Sequence, residues 1–516
     1  MNLREPHVAT MTNYPNRFKP LPLGTPVPNS PHAVVVSLPT MTDVIGYEER
    51  RPDTMDVVRS GYPRFLQHPF VTQAMCELSN SLKLGARALF PVASLDVARR
   101  IADLCGVESG DVGIAQTDGW VLLHLPPADA ALAARVRKII QHTGVALGSR
   151  QAEDWLVARG LRDDMFPEET FDGDASAAVR RVLAHLLAPA AADDILLCRS
   201  GMNAFYAAFE AVRSLQCPRG RTHWLQLGWL YTDTTETLRK CLPRDEPLTL
   251  ISNVFDKDAV EKFFADNGDR VAAVVTEVPT NPLIQTPDIE WLCALARRYG
   301  AILVLDPSTS GLVNVDLLRH SDVLVTSLTK YAAHAGDVML GVLCVNPCSP
   351  VHEPLLAAAR REISFAYERD ISRLAVEIES MSAVAVRVND NTARLAAWLA
   401  AHPAVRRVFW AGEASSAANY AAIARSPERF GCVISIELTI QPARFYDRIK
   451  RVKGPSFGTD FTIVSPFIYM AHYDLVTSAA GRKGLIACGI DPELMRISVG
   501  CEPFEEIRDA FASALA

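Results

Sequence analysis

Between residues 175 and 345 the chain repeats one pattern, a short continuous run of apolar residues followed by a longer segment with helical spacing. Ala272-Ala273-Val274-Val275, Ala301-Ile302-Leu303-Val304-Leu305 and Val323-Leu324-Val325 are such runs, and Ile289 to Tyr299 is one of the helical segments. A strand that is apolar at every position has no face to offer water. Helices between consecutive runs cover both faces and make the strands parallel. In an open parallel sheet, ligands bind beyond the carboxyl ends of the strands. The polar residues that end these runs are therefore the first candidates for a functional site.

The rest of the 516 residues is organised around this core, and the length calls for more than one domain. Four regions are expected. Residues 1–81 form an N-terminal arm, loose up to about Pro31, where Pro6, Pro15, Pro20, Pro22, Pro26, Pro28 and Pro31 break regular structure. Residues 82–172 form a small inserted α/β region. In it, Ala88-Leu89-Phe90 and Trp120-Val121-Leu122-Leu123 alternate with helical stretches, and the acidic Glu168, Glu169, Asp172 and Asp174 mark its end. Residues 173–350 form the large domain and residues 351–516 a smaller C-terminal α/β domain.

A formal net charge of −7 with no basic run argues against nucleic acid or an anionic membrane as a partner. The start has no apolar signal core and no stretch is long enough to span a bilayer, so a cytoplasmic location is expected. The eleven cysteines lack disulfide or zinc spacing, and no metal is expected.

Asp306 ends one buried run, and Thr326-Ser327-Leu328-Thr329-Lys330 follows the next. A buried lysine is disfavoured as a cation, so its amine becomes a nucleophile able to form Schiff bases with aldehydes. Pyridoxal 5′-phosphate (PLP) combines such a lysine with an acid for its pyridine nitrogen. Alone, this pair does not exclude a capping Asp and a surface Lys. Two further segments add weight. Cys198-Arg199-Ser200-Gly201-Met202-Asn203-Ala204 is a small turn from a strand into a helix N-terminus, which suits a phosphate. Ser327 and Thr329 bring short hydroxyls to the same place.

With these residues in view, the chain resembles the Cys/Met-metabolism PLP enzymes, such as cystathionine γ-synthase, cystathionine lyases, homoserine sulfhydrylases and methionine γ-lyase. The resemblance is carried by Glu277-Val278-Pro279-Thr280-Asn281-Pro282, Asp306, Ser327 to Lys330, Tyr62-Pro63-Arg64, and Arg496-Ile497-Ser498-Val499-Gly500-Cys501-Glu502. Val36 to Thr40 with Gly46-Tyr47-Glu48, Gly228 to Thr234, and Phe457 to Thr462 resemble the long, fungal-type cystathionine γ-synthases. The likeness covers about 32–70 and 175–516, and no motif is recognised inside the insertion.

The resemblance implies the aspartate-aminotransferase-like PLP fold (fold type I). It implies that Lys330 carries PLP and moves protons, that Asp306 pairs with the pyridine nitrogen, that Tyr231 stacks on the ring and that Asn281 lies beside the ring hydroxyl. Ser200, Gly201, Met202, Ser327 and Thr329 would hold the phosphate. Tyr62 and Arg64 would reach the phosphate of a neighbouring subunit, so that a homo-oligomer, a dimer or dimer of dimers, shares its sites. Arg496 would clamp the substrate carboxylate, with Thr462 where the family has a carboxylate-contacting Ser.

The implied reaction is γ-replacement on an O-acyl-L-homoserine by a thiol, giving a thioether. Two departures keep a sulfhydrylase, a γ-lyase or another γ-substitution open. Phe461 replaces a glutamate tied to the substrate's distal end, and Tyr331-Ala332-Ala333-His334 departs from the usual order after the lysine. A catalytically silent PLP-binding homologue is the non-enzyme alternative. Lys330, Asp306, Tyr231 and Arg496 together argue against it.

Overall fold

A computed structural model describes residues 19–106, 112–127 and 129–516. The part of the arm before residue 19 lies outside the described residues. Seven strands form the large sheet: Ile195–Cys198 (β1), His223–Leu227 (β2), Leu248–Ile251 (β3), Val271–Glu277 (β4), Ile302–Asp306 (β5), Val323–Ser327 (β6) and Gly341–Val345 (β7). Their order across the sheet is β1-β7-β6-β5-β4-β2-β3. All pairs are parallel except those of β7, which is antiparallel to both β1 and β6. The exception has a local cause. The connection from β6 to β7 contains Lys330 but no crossover helix, and a chain that turns back without one pairs antiparallel. The sheet is otherwise as expected, with apolar side chains buried on both faces.

The parallel strands all end on one edge. Cys198 leads into the helix Gly201–Gln216, Leu227 into Tyr231, and Glu277, Asp306 and Ser327 are the last residues of β4, β5 and β6. Every polar candidate of the large domain is therefore delivered to one rim. The C-terminal domain adds a five-stranded sheet in which Met495–Ser498 is central, paired with Val433–Leu438 and Ile463–Pro466. That places Arg496 on a rigid strand facing the same rim.

The insertion folds as a three-stranded antiparallel sheet, Ala88–Val92, Trp120–Leu125 and Gly113–Thr117. Successive side chains of Trp120–Leu125 point to opposite faces, and both faces are covered. Val121, Leu123 and Leu125 pack under helices Leu95–Leu104 and Ala130–Thr143. Trp120 and Leu122 pack against helices Pro69–Ser81 and Ser149–Ala158. The unit thus draws in Pro69–Ser81, ahead of the expected boundary at 82, because its second apolar face needs a cover. At its far end Asp174 caps helix Ala175–Leu186, accepting from the Ala177 amide at 2.8 Å.

The arm is less loose than its prolines imply. Pro26–Val27 pairs antiparallel with Val35–Val36. The amides of Val34 and Leu38 donate to the carbonyls of Gly336 and Lys453, both at 2.9 Å. The eleven cysteines are free thiols. Among the described residues no helix is long and apolar enough to cross a membrane.

Leu122→Ala tests the two-sided packing of the insertion. It should cost about 2–5 kcal/mol locally. Hydrogen exchange should show faster exchange in 69–81 and 149–158 while β4 and β5 keep their protection. Equal loss everywhere would mean that the insertion is not a separate packing unit.

Candidate active site

Lys330 sits just past β6, and its backbone is pinned. The Tyr331 amide donates to Gly458 O at 2.8 Å and the Tyr331 hydroxyl to Thr309 O at 2.7 Å. Gly458 is needed for this contact. A Cβ there would lie 2.8 Å from the Tyr331 nitrogen and 3.1 Å from Lys330 Cα, and its φ is +77°. The Lys330 amine donates to Ser456 Oγ at 2.7 Å and lies 4.9 Å and 5.1 Å from the ring centres of Tyr62 and Phe457. Burial, then the guanidinium charges of Arg496 and Arg64, push its pKa down to about 7. Much of it is therefore a free amine at neutral pH.

Two carboxylates stand on the opposite side of the charge balance. Asp306 and Glu277 are register partners at the ends of β5 and β4. Asp306 Oδ1 accepts from the Ser308 amide at 2.7 Å. Burial lifts Asp306 to about 6 despite the Ser308 hydrogen bonds. Burial and the neighbouring Asp306 lift Glu277 well above the usual carboxylate range. Glu277 Oε1 accepts from the Tyr231 amide at 2.6 Å, and its Oε2 is buried without a partner. Two adjacent buried carboxyls that pair with no cation among the described residues fit the protonated pyridine nitrogen of PLP. Glu277 was not singled out from sequence. Its place at the strand end next to Asp306 was the available signal.

The phosphate end also fits. Ser200 caps helix Gly201–Gln216 through the Asn203 amide at 3.0 Å, so its hydroxyl is already engaged. The first-turn amides of Gly201 and Met202 lie outside the helical ladder and are available to an anion. Gly201 lets that turn rest on β6, since a Cβ would come within 2.8 Å of Ser327 Cβ. The Ser327 hydroxyl is buried and unpartnered. The Thr329 hydroxyl is not, because it accepts from the Leu340 amide at 3.1 Å. Ser327 is therefore the better hydroxyl for the phosphate, and Thr329 holds β7 in place.

Arg496 is buried between Phe467 and Phe457, 4.4 Å and 5.1 Å from their ring centres. It donates to Ser456 O at 3.1 Å and to Asn281 Oδ1 at 3.4 Å, and its Nε is unpartnered. Burial lowers its pKa to about 10, so it stays charged. It pairs with no carboxylate among the described residues, as suits a clamp awaiting a substrate carboxylate. Thr462, expected to assist it, is turned elsewhere. Its hydroxyl donates to Glu502 at 2.8 Å and accepts from the Gly500 amide at 3.0 Å. Ser456 lies between Lys330 and Arg496, its Oγ accepting from the lysine amine and its carbonyl from the guanidinium.

Tyr62 and Arg64 lie at the site of their own chain. Arg64 donates to the Tyr231 hydroxyl at 2.8 Å and to Asp233 at 2.5 Å, and Tyr62 lies against the Lys330 amine. The cause is the path of the arm. Its amides at 34 and 38 bond to the chain's own large and small domains, so the following Tyr62-Pro63-Arg64 arrives at the same rim. Burial raises the Tyr231 phenol far above its ordinary value, against the opposing effect of Arg64, and keeps it neutral.

Two measurements check this geometry. If Lys330→Ala and Arg64→Ala chains are mixed and exchange between them is demonstrated, activity should stay at background, because each site takes both residues from one chain. Recovery of a substantial fraction of wild-type activity would place Arg64 in a partner's site. The rate at which cofactor-free protein takes up PLP should rise with pH and level off above about 7, following neutral Lys330. A rate still climbing steeply at pH 9 would contradict the lowered pKa.

The comparisons agree with this geometry. The profile of the Cys/Met metabolism PLP-dependent enzymes matches residues 176–516. The L-2-amino-4-chloropent-4-enoate dechlorinase/desaturase of Streptantibioticus cattleyicolor is 37% identical over 95% of this chain and 97% of its own length. The cystathionine gamma-synthase of Neurospora crassa is 27% identical over 96% of this chain and 98% of its own. The fold is similar to that of cystathionine gamma synthase from Xanthomonas oryzae pv. oryzae in complex with aminoacrylate and cysteine. That match has a TM-score of 0.57, 22% identity, and coverage of 68% of this chain and 91% of that one. With the family profile spanning both domains and a lysine, an acid pair and a phosphate turn in place, the chain belongs to the Cys/Met metabolism PLP-dependent enzymes.

Proposed function

We propose that this enzyme expels a leaving group from the γ-carbon of a small L-α-amino acid whose distal end is uncharged. The carrying observation is the charge distribution around Lys330. Among the described residues, the cations that act on its amine are Arg496 and Arg64, with the Cys432 thiol acting in the opposite sense. Arg496 is assigned to the α-carboxylate and Arg64 to the phosphate end, which leaves neither of these cations for the far end of the substrate. Phe461 supports this. It is fully buried in an apolar cluster with Val34, Val35, Tyr62 and Met339 and offers no polar contact where a glutamate was expected.

PLP, when bound, supplies the electron sink that makes protons next to the amino-bearing carbon acidic. The chain's own residues do the rest. Arg496 and Asn281 orient the carboxylate end. Lys330, with a pKa near 7, takes and returns protons at the α- and β-carbons. Ser456 Oγ, 2.7 Å from that amine, holds it between transfers. Asp306 and Glu277 hold a proton at the ring nitrogen. Tyr231, a neutral phenol, covers the ring face.

The relative of 37% identity has a chlorinated unsaturated amino acid in its name. By analogy, this chain would release a proton and chloride from such a substrate with gain of one unsaturation. The second reading is γ-replacement on an O-acyl-L-homoserine by a thiol, favoured by the Neurospora crassa relative. One panel separates them: L-2-amino-4-chloropent-4-enoate and O-acetyl-, O-succinyl- and O-phospho-L-homoserine, each with and without cysteine or sulfide. Chloride release without a thiol, at least about tenfold faster per enzyme than any thioether formation, is expected. Thioether formation from an acylhomoserine with no chloride release would overturn the first reading in favour of the second.

A further inference from the structure

Asp233, five residues after Gly228 at the exit of β2 and two after Tyr231, is fully buried, and its carboxylate has three partners. Its Oδ2 accepts from Arg64 Nη1 at 2.5 Å. Its Oδ1 accepts from Gln141 Nε2 and faces His142 Nδ1, both at 2.9 Å. Burial alone would raise its pKa, but Arg64 and then His142 outweigh that and hold it at about 2. A carboxylate buried this completely is tolerated because both of its oxygens are hydrogen-bonded.

Gln141 and His142 come from the insertion, at the end of helix Ala130–Thr143. They act on Arg64 twice. The Gln141 carbonyl itself accepts from Arg64 Nη1 at 2.8 Å. With Asp233 on the same nitrogen and the Tyr231 hydroxyl on Nη2, the plane of the guanidinium is set. Its Nε is buried without a partner. Two residues after His142, Gly144 of the insertion touches the phosphate turn. The carbonyl of Gly144 accepts from Ser200 Oγ at 2.9 Å, and a Cβ on Gly144 would lie 2.5 Å from the Asn203 nitrogen. Behind the imidazole, Lys240 Nζ lies 3.4 Å from Nε2, which places the proton on Nδ1, toward Asp233.

We propose that the insertion is a positioning element of the cofactor site, in which Gln141 and His142 fix Asp233, and Asp233 with the Gln141 carbonyl aims Arg64 at the cofactor's phosphate end. His142, Gln141 and Asp233 are positioning residues, because none is placed against the cofactor itself. A purely structural insertion would need only its apolar faces. It would not need an amide, an imidazole and a carbonyl converging on one buried acid and one guanidinium.

The test measures the PLP dissociation constant of the full-length enzyme by absorbance titration, together with the visible spectrum of the bound cofactor. His142→Leu removes the Nδ1 donor and should weaken PLP binding by about tenfold or more, the scale of a lost hydrogen bond to a buried charge. His142→Asn places an amide donor near Nδ1 and should recover to within about threefold of wild type. In an Arg64→Ala background, His142→Leu should cost almost nothing further, because its effect passes through Arg64. If His142→Leu does not fold, Gln141→Ala serves in the same cycle, with a smaller loss that also vanishes in Arg64→Ala. Losses that multiply in the double variants, equal loss in His142→Asn and His142→Leu, or unchanged PLP affinity throughout would each overturn the proposal.

Discussion

At the centre of this site, two cationic side chains and two carboxyls are buried without meeting one another. Among the described residues, Lys330 and Arg496 lie on one side with no carboxylate partner, and Glu277 and Asp306 lie on the other with no cation paired to them. Direct pairing would satisfy all four and abolish the chemistry. Kept apart, each shifts toward its neutral form or waits for a ligand. A cofactor with a cationic ring nitrogen and an anionic phosphate, and a substrate with a carboxylate, relieve these separated charges one by one. The site is therefore costly when empty and complementary when filled.

The large sheet enforces that separation. Asp306 and Glu277 are fixed side by side because β5 and β4 are parallel and in register, so their ends coincide. Lys330 cannot swing across to them, because Gly458 and Thr309 clamp Tyr331 on the far side. Arg496 belongs to another sheet altogether and is wedged between two phenylalanines. The opposing charges are thus mounted on elements with no freedom to collapse together.

This layout explains which parts were legible in the sequence. Continuous apolar runs ending in Asp306 and leading to Lys330 reveal the sheet, its exposed edge and the cofactor, because strand periodicity and strand ends are local properties. The turn at Gly201 is legible for the same reason. Ser456 is not legible as a neighbour of Lys330, because Ser456 and Thr462 are small hydroxyls in one irregular segment and only the tertiary path decides which faces the lysine. The strand reversal at β7 and the docking of Arg64 in its own chain depend on how connections travel, which periodicity does not encode. Asp233 with His142 was invisible for a further reason. It joins residues from the arm, the insertion and the large domain, and each looks like an ordinary surface residue in its own segment.

The seam between insertion and large domain shows why such a cluster can be held accurately. Arg150, at 1% side-chain exposure, bridges Glu168, Asp370 and Asp337. Arg369 joins Glu153 and Asp154, and Glu153 also meets His32 of the arm. Arg373 links Asp337 to Glu377. Burying so many charges gains little net stability, since desolvation offsets attraction. What the network supplies is geometry. An apolar seam tolerates sliding by a fraction of a side chain, whereas a shift here would strand several buried charges at once. Helix Ser149–Ala158 is thereby locked in place, and with it the segment that leads back through Gly144 to His142 and Gln141. The same seam ties His32, and so the path of the arm toward Tyr62 and Arg64, to the insertion. Arm, insertion and sheet thus meet in one register, and the guanidinium of Arg64 is delivered where all three agree.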